Sequence, residues 1–274
     1  MSKLIDTFPF FDELDLLELR LEYLNDVVDK FILVEGIYSH QGKKKELYFE
    51  KNKSIFKKYL NKIEHVIVDD YPLIDGKPYT DHFTYDYHTR NAILNGLTKI
   101  KSNENDIILI SDVDEFPDKE MFHKFNGKLS VFKHFMMYFK FNLRCINFEY
   151  DYGDGLWAGT RMLKKKDITT PQAIRMIKPK KYPWWRIDRK KINFINGGWH
   201  FRYLGDGKKL FIEFQNRSIG YTEKRLTELS EIDIEKIISD MRPLIGKEKY
   251  LKFPLEKLPK NIKNKSNKFK DLFI

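Results

Sequence analysis

Four short apolar runs, separated by stretches of helical periodicity, constrain this chain more than any other feature. They are Lys3–Ile5, Phe31–Val34, His65–Val68 and Ile107–Ile110. Runs this short suit buried parallel strands better than helices. Between them, Asp12–Asn25 carries Leu14, Leu17, Leu21 and Leu24 at spacings of three and four, with acids in its first turn. Ser54–Asn61 reads as a short helix, and Asp81–Lys101 as a longer one with Ala92, Ile93, Leu97 and Ile100 on its apolar side. Strand and helix in alternation predict an α/β fold, with a mainly parallel central sheet and helices on both faces. After residue 130 the pattern changes to aromatic strand-like runs, Phe132–Phe141 and Arg144–Tyr150, and a last helix follows at Glu231–Ile245. No repeat or Gly/Ser linker interrupts the chain, so one domain is expected over 1–245, with a tail over 246–274.

Composition narrows the classes. The 22 Phe and 15 Tyr exclude a disordered chain. Cys145 is the single cysteine, which excludes an intrachain disulfide or a Cys-rich metal cluster and suits a reducing, cytoplasmic setting. No apolar run reaches the roughly 18 residues of a membrane span, and the stretch Met1–Asp6 is too short for a signal peptide. The net charge of +10 is unevenly placed: residues 242–274 hold ten Lys or Arg against three acids, so the rest is nearly balanced. That balance argues against a nucleic-acid partner. The tail interleaves its lysines with Tyr250, Phe253, Phe269 and Phe273. It suits either peripheral contact with anionic lipid or packing on the body.

The sharpest chemical signal is Asp112-Val113-Asp114, directly after Ile107–Ile110. Parallel sheets bind ligands at the carboxyl ends of their strands, and Glu35 and Asp69-Asp70 also end strands there. In an extended segment, residues two apart point the same way, so Asp112 and Asp114 are expected to converge on one hard cation, Mn²⁺ or Mg²⁺. Such an ion would neutralise charge on a diphosphate leaving group. Glu115 is expected to support the ligands or to begin the next element. A dehalogenase-type phosphatase expects Thr or Val where Phe116 stands, and the glycine-rich phosphate loops and a serine nucleophile elbow are missing. A metal-dependent phosphoesterase or nuclease using the same acids remains an alternative.

Further segments accompany the motif: Asp6–Glu18, Val28–Glu35, Leu47–Phe49, His88–Ile93, Leu109–Pro117, Trp157–Arg161, Thr170–Gln172 and Gly198–Phe201. Together they resemble glycosyltransferase family 17, a family of nucleotide-sugar transferases of the GT-A fold. The resemblance implies transfer of a sugar, N-acetylglucosamine foremost, from a UDP-sugar donor to a glycan acceptor hydroxyl with inversion. It implies Asp112, Asp114 and His200 as metal ligands. Thr7, Phe8, Pro9, Glu35, His88, Arg90, Asn91 and Asp112 would line the donor site. Arg90 would pair with phosphate or with a motif aspartate, and Glu35 with uracil or ribose. Trp157, Arg161 and Trp185 are expected to face the acceptor. An inverting transfer needs a base. Asp154 ranks first for it, with Asp151, Glu213 and Glu223 as alternatives. Tyr221 stands where the family pattern has a histidine, a departure that bears on acceptor choice. A catalytically silent glycan-binding protein on the same scaffold is the reading from another class.

Overall fold

The computed structural model describes residues 2–39, 42–74, 77–78, 82–148, 155–179, 191–216, 226–244 and 246–274. From the amino end come β1 (Leu4–Phe10), α1 (Leu14–Leu24), β2 (Lys30–Gly36), α2 (Tyr48–Asn52), β3 (Ile63–Val68), the hairpin β4 (Leu73–Ile74) and β5 (Lys77–Pro78), α3 (His82–Asn91), α4 (Ile93–Lys99) and β6 (Ile107–Ile110). Then follow β7 (Glu115–Pro117), β8 (Ser130–Tyr138), β9 (Leu143–Ile146), β10 (Leu156–Lys164) and α5 (Pro171–Met176). The last elements are β11 (Asn193–Arg202), α6 (Gly207–Asn216), α7 (Glu231–Ser239), β12 (Lys249–Lys252) and α8 (Lys260–Asn264).

Among the described residues ten strands form one sheet, in the order β12-β9-β8-β10-β6-β1-β2-β3, with β11 on β8 and β7 on β11. The part built from the four apolar runs is parallel: β1 lies between β2 and β6, and β2 continues to β3. Beyond β6 the sheet is mixed. β10 runs antiparallel to β6 and β8, while β11 runs parallel to β8. The mainly parallel sheet expected from the sequence is thus corrected. The tight connection from β8 to β9 spans only residues 139–142, and so short a link joins antiparallel strands.

Alternation along β1 and β2 sends Phe8, Phe10, Phe31 and Leu33 to one face, and Ile5, Ile32 and Val34 to the other. α1 covers the first face with Leu17, Leu21 and Leu24, and α4 covers the second with Ile93 and Leu97. Gly96 allows that close approach, since a Cβ there would stand 2.4 Å from Ile32 Cγ2. Two expected boundaries move. β1 runs on past Ile5 through buried Asp6 and Thr7 because both side chains find partners inside; Thr7 Oγ1 donates to the Leu109 carbonyl at 2.7 Å. Pro9 is tolerated there because β6 pairs with β1 only as far as Thr7, so no ladder bond is lost on that side. The single helix expected over 81–101 is two helices meeting at Ala92.

Residues 246–274 pack against the body. β12 pairs with β9 at the sheet edge, and Phe253, Leu258, Ile262 and Phe269 are buried in the cluster that includes α1. Lys265 bonds Glu18 and Glu22 at 2.8 Å each, and Lys268 reaches Glu18 at 2.8 Å. Asn142 holds both the N–H and the carbonyl of Ile274 at 2.9 Å. Of the two roles weighed for this stretch, packing on the body accounts for these contacts, and Phe253 and Phe269 face the core. Among the described residues no helix is long and apolar enough to cross a membrane.

Ile262 is fully buried. Ile262→Ala is therefore expected to lower stability by about 2–5 kcal/mol in urea denaturation. An unchanged midpoint would show that the segment contributes nothing to the core.

Candidate active site

The chain leaves β6 at Ile110, turns through Ser111–Asp114 and enters β7, which pairs with β11. The Glu115 N–H donates to the Asp112 carbonyl at 3.1 Å, so the motif is a turn and not an extended strand. Asp112 and Asp114 consequently do not share partners, contrary to the convergence expected from a two-residue spacing.

One buried side chain holds this turn. Arg20 of α1 has no solvent exposure. Its Nε and Nη2 donate to the Asp6 carboxylate at 2.8 and 2.7 Å, and Nη2 also donates to Ser111 Oγ at 2.5 Å. Nη1 reaches the carbonyls of Asp112 at 3.3 Å, Val113 at 3.4 Å and Glu115. Phe8 and Phe116 present their rings to the guanidinium, with centroids 4.8 and 5.8 Å away. The sequence contained a signal for this residue: Arg20 falls three positions after Leu17 and four before Leu24, within the apolar stripe of the helix.

Asp112 faces two arginines. Arg90 Nη2 donates to its Oδ1 at 2.9 Å and Arg175 Nη2 to its Oδ2 at 2.8 Å. Burial alone would raise this carboxyl, but Arg175 and Arg90 outweigh it and hold Asp112 far below the usual carboxylate range. Arg90 is fixed in turn by Asp86 at 2.9 Å and by Gln172 Oε1 at 2.5 Å, and the Gln172 N–H donates to Asn91 Oδ1 at 3.0 Å. Thr170 caps α5 by accepting from the Ala173 N–H at 3.1 Å, which sets Gln172 and Arg175 on the first turns of that helix.

Glu115 is a buried hub. Its Oε1 accepts from Trp157 Nε1 at 2.7 Å and Arg175 Nη2 at 2.9 Å; its Oε2 accepts from Arg175 Nη1 at 2.8 Å and the Asp112 N–H at 3.3 Å. Burial opposes its charge, yet Arg175 brings its pKa down to about 2. Beside it His134 is fully enclosed, and burial lowers its pKa to about 3, so it is neutral. Gly198, with φ +124°, makes room for that ring: a Cβ there would lie 2.7 Å from His134 Cδ2 and 2.5 Å from the Phe116 carbonyl oxygen.

Asp114 faces the other way. His200 Nε2 lies 3.2 Å from Asp114 Oδ2, and the His200 ring packs 5.3 Å from that of Trp157. Asp114 Oδ1 and His200 Nδ1 are buried and have no hydrogen-bond partner among the described residues. Asp114 lines a cavity of about 430 Å³ between the start of α1 and α6, with Phe11, Asp12, Glu13, Tyr203 and Lys209 among its walls. Glu13 Oε2 accepts from the N–H groups of Phe11 and Asp12, both at 3.1 Å. Burial, with the charges of Asp12 and Asp114 nearby, pushes the Glu13 carboxyl up to about 8.

Among the described residues no group of three or more His, Cys, Asp or Glu is arranged to hold a metal. The pair Asp114–His200 nevertheless fits a hard divalent ion. It offers a carboxylate oxygen without a partner and an imidazole, and Mg²⁺-type sites commonly use one or two carboxylates with substrate phosphate and water. Asp112 is the poorer ligand, because Arg90 and Arg175 on its two oxygens already offset its charge toward a cation, while lone pairs remain to accept a neutral donor.

The other expected site residues divide. Thr7 and Phe8 are buried, while Pro9 is half-buried in the same strand. Glu35 has no exposure: it accepts from the N–H of Tyr48 at 2.5 Å and of Phe49 at 3.3 Å, and contacts Lys45 and His65 at 3.2 Å each. It anchors α2 and lacks the free oxygen that uracil or ribose would need. His88 contacts Asp70 at 3.2 Å. Arg161 is buried, with Nη1 donating to the Ala158 and Gly159 carbonyls and Nη2 to that of Arg175 at 3.3 Å. It braces the β10 bulge and does not face an acceptor. Trp157 is half-buried with its N–H on Glu115. Asp154, Asp151, Trp185, Tyr221 and Glu223 lie outside the described residues. Sequence reasoning missed Arg20, Arg175 and Glu13; Arg175 left no local signal, since its partners lie about 60 positions away.

Known proteins resemble part of this chain. The model of glycosyltransferase family 17 matches residues 1–170. A rat beta-1,4-mannosyl-glycoprotein 4-beta-N-acetylglucosaminyltransferase is 26% identical over 121 residues, which are 43% of this chain and 22% of that protein. The human protein of the same name is 27% identical over 111 residues, 39% of this chain and 20% of the relative. The match therefore spans about a fifth of the length of these relatives.

Two outcomes follow from the geometry. Arg20→Met leaves Asp6 as an unpaired buried charge and is expected to cost about 3–5 kcal/mol in urea unfolding. Adding Asp6→Leu should restore part of that. The Glu13 carboxyl, raised from 4.5 to about 8 in the fold, favours the protonated state. Wild type and Glu13→Gln should thus have matching melting temperatures below pH 4.5. From there to about pH 8 the unfolded chain ionises first, so wild type should fall progressively below the variant and then level off. A pH-independent difference would contradict the burial of that carboxyl.

Proposed function

Because the chain belongs to glycosyltransferase family 17, we propose that it moves a sugar, N-acetylglucosamine foremost, from a UDP-sugar to a glycan hydroxyl with inversion, on a GT-A scaffold. The observation that carries this reading is the turn after β6. It points Asp114, with His200 beside it, into a cavity while Asp112 stays ionised between Arg90 and Arg175. The relatives' names supply the N-acetylglucosamine and the glycan acceptor.

In this reading Asp114 and His200 hold Mn²⁺ or Mg²⁺, which supplies positive charge against the departing diphosphate. Asp112 keeps its carboxylate at neutral pH because the guanidiniums stabilise the charged form, so it is ready to accept hydroxyl groups of the donor. Glu115 holds Arg175, Trp157 and the Asp112 N–H in one network, which limits how far the motif shifts when a donor enters. Arg20 fixes the carbonyl side of the same turn. Positioning of this kind lowers a barrier because no reorganisation remains to be done during reaction.

The test is UDP release from UDP-N-acetylglucosamine in the presence of Mn²⁺. Asp114→Asn should lower the rate by about 100-fold or more with the fold intact by circular dichroism. Cleavage of phosphomonoesters or nucleic acid without release of UDP from any UDP-sugar would overturn the transferase reading. Donor binding without turnover, with acceptors supplied, would favour a silent glycan-binding protein.

A further inference from the structure

The cavity beside Asp114 is assembled from two parts of the chain. Phe11, Asp12 and Glu13 come from the turn between β1 and α1, inside the stretch shared with the family; the opposite wall comes from β11 and α6, beyond residue 170. Its volume of about 430 Å³ falls within the roughly 300–1,000 Å³ of small-molecule sites and suits a sugar ring. A ring seated there would meet carboxylates on both walls.

These carboxylates are not equivalent. Asp206 is occupied in capping α6, accepting from the Lys209 N–H at 2.8 Å. Asp12 is exposed to solvent. Glu213 sits two turns into α6 and interacts with other groups. Glu13 differs from all three. Two backbone N–H groups pin its Oε2, and its Oε1 has no protein donor among the described residues. In its ionised fraction, which grows as the pH approaches 8, this carboxylate is held at one oxygen and free at the other, and is placed to accept a proton in one orientation.

We propose that this cavity seats the acceptor and that Glu13 is the catalytic residue that takes the proton from its attacking hydroxyl. The inference rests on the transferase reading. The acceptor oxygen bonds to the anomeric carbon of the donor, and the bond from that carbon to the diphosphate oxygen breaks. The electron pair of that bond leaves on the diphosphate, and the hydroxyl proton goes to Glu13 Oε1. Because one wall lies beyond residue 170, acceptor choice is written into the part of the chain outside the family match.

The experiment uses the full chain with UDP-N-acetylglucosamine and Mn²⁺, with water in the cavity standing in for the acceptor hydroxyl. Glu13→Gln and Glu13→Asp are compared with wild type for UDP release and, by calorimetry, for UDP binding. The expected result is a fall in kcat of about 100-fold or more in Glu13→Gln, partial recovery in Glu13→Asp, and unchanged KM and UDP affinity in both. Turnover at the wild-type rate in Glu13→Gln overturns the proposal. So does a parallel loss of UDP binding, which would place Glu13 in the donor site. Wild type that neither binds UDP nor releases it from any UDP-sugar overturns the transferase reading, and the proposal with it.

Discussion

A guanidinium with no contact to solvent is the constraint on which the rest of this structure depends. Stripping a cation of water costs several kcal/mol unless an opposite charge and hydrogen-bond acceptors replace the lost hydration. Arg20 meets both demands at once: Asp6 cancels its charge, and Ser111 with three carbonyls of the motif turn accept its remaining hydrogens. The same contacts tie α1 to β1 and to the end of β6. The position of the motif is therefore a consequence of how the core neutralises one buried charge.

Asp112 and Asp114 stand two residues apart and do different work because their surroundings differ. Asp112 and Glu115 face Arg90 and Arg175, so both carboxylates are stabilised as anions, Glu115 shut off from solvent and Asp112 half-buried. Asp114 is left on the cavity side with one oxygen unpartnered among the described residues. Low dielectric makes the first arrangement rigid and the second reactive, since an unsatisfied buried oxygen gains most from a cation or donor. A main body of nearly balanced charge is consistent with this design, in which anionic phosphates meet a few fixed groups and no broad basic surface.

Much of the parallel half was legible because hydrophobic periodicity is local. The runs ending at Val34, Val68 and Ile110 appear as β2, β3 and β6, and the leucines of Asp12–Asn25 form α1. The motif stood out because two acids after four buried β-formers need a compensating use. Legibility ended where compensation came from afar. The first apolar run ended at Ile5, whereas the strand continues through Asp6 and Thr7 because Arg20 and the Leu109 carbonyl meet their side chains. The lysines of residues 246–274 left lipid contact and packing on the body both open; Lys265 and Lys268 reach Glu18 some 250 positions back, a pairing that spacing alone does not reveal.

The sequence by itself determined the α/β class, the order of the first strands and the presence of an acidic motif at a strand end, because these follow from side-chain period and polarity along short stretches. Only the tertiary structure decided which acid faces arginine and which faces the cavity. It likewise made Glu35 a structural anchor and drew Glu13 into the site. The physical reason is that the ionisation and reach of a carboxylate depend on the charges and donors within a few ångströms, and the fold gathers those from α1, α3, α5 and β11.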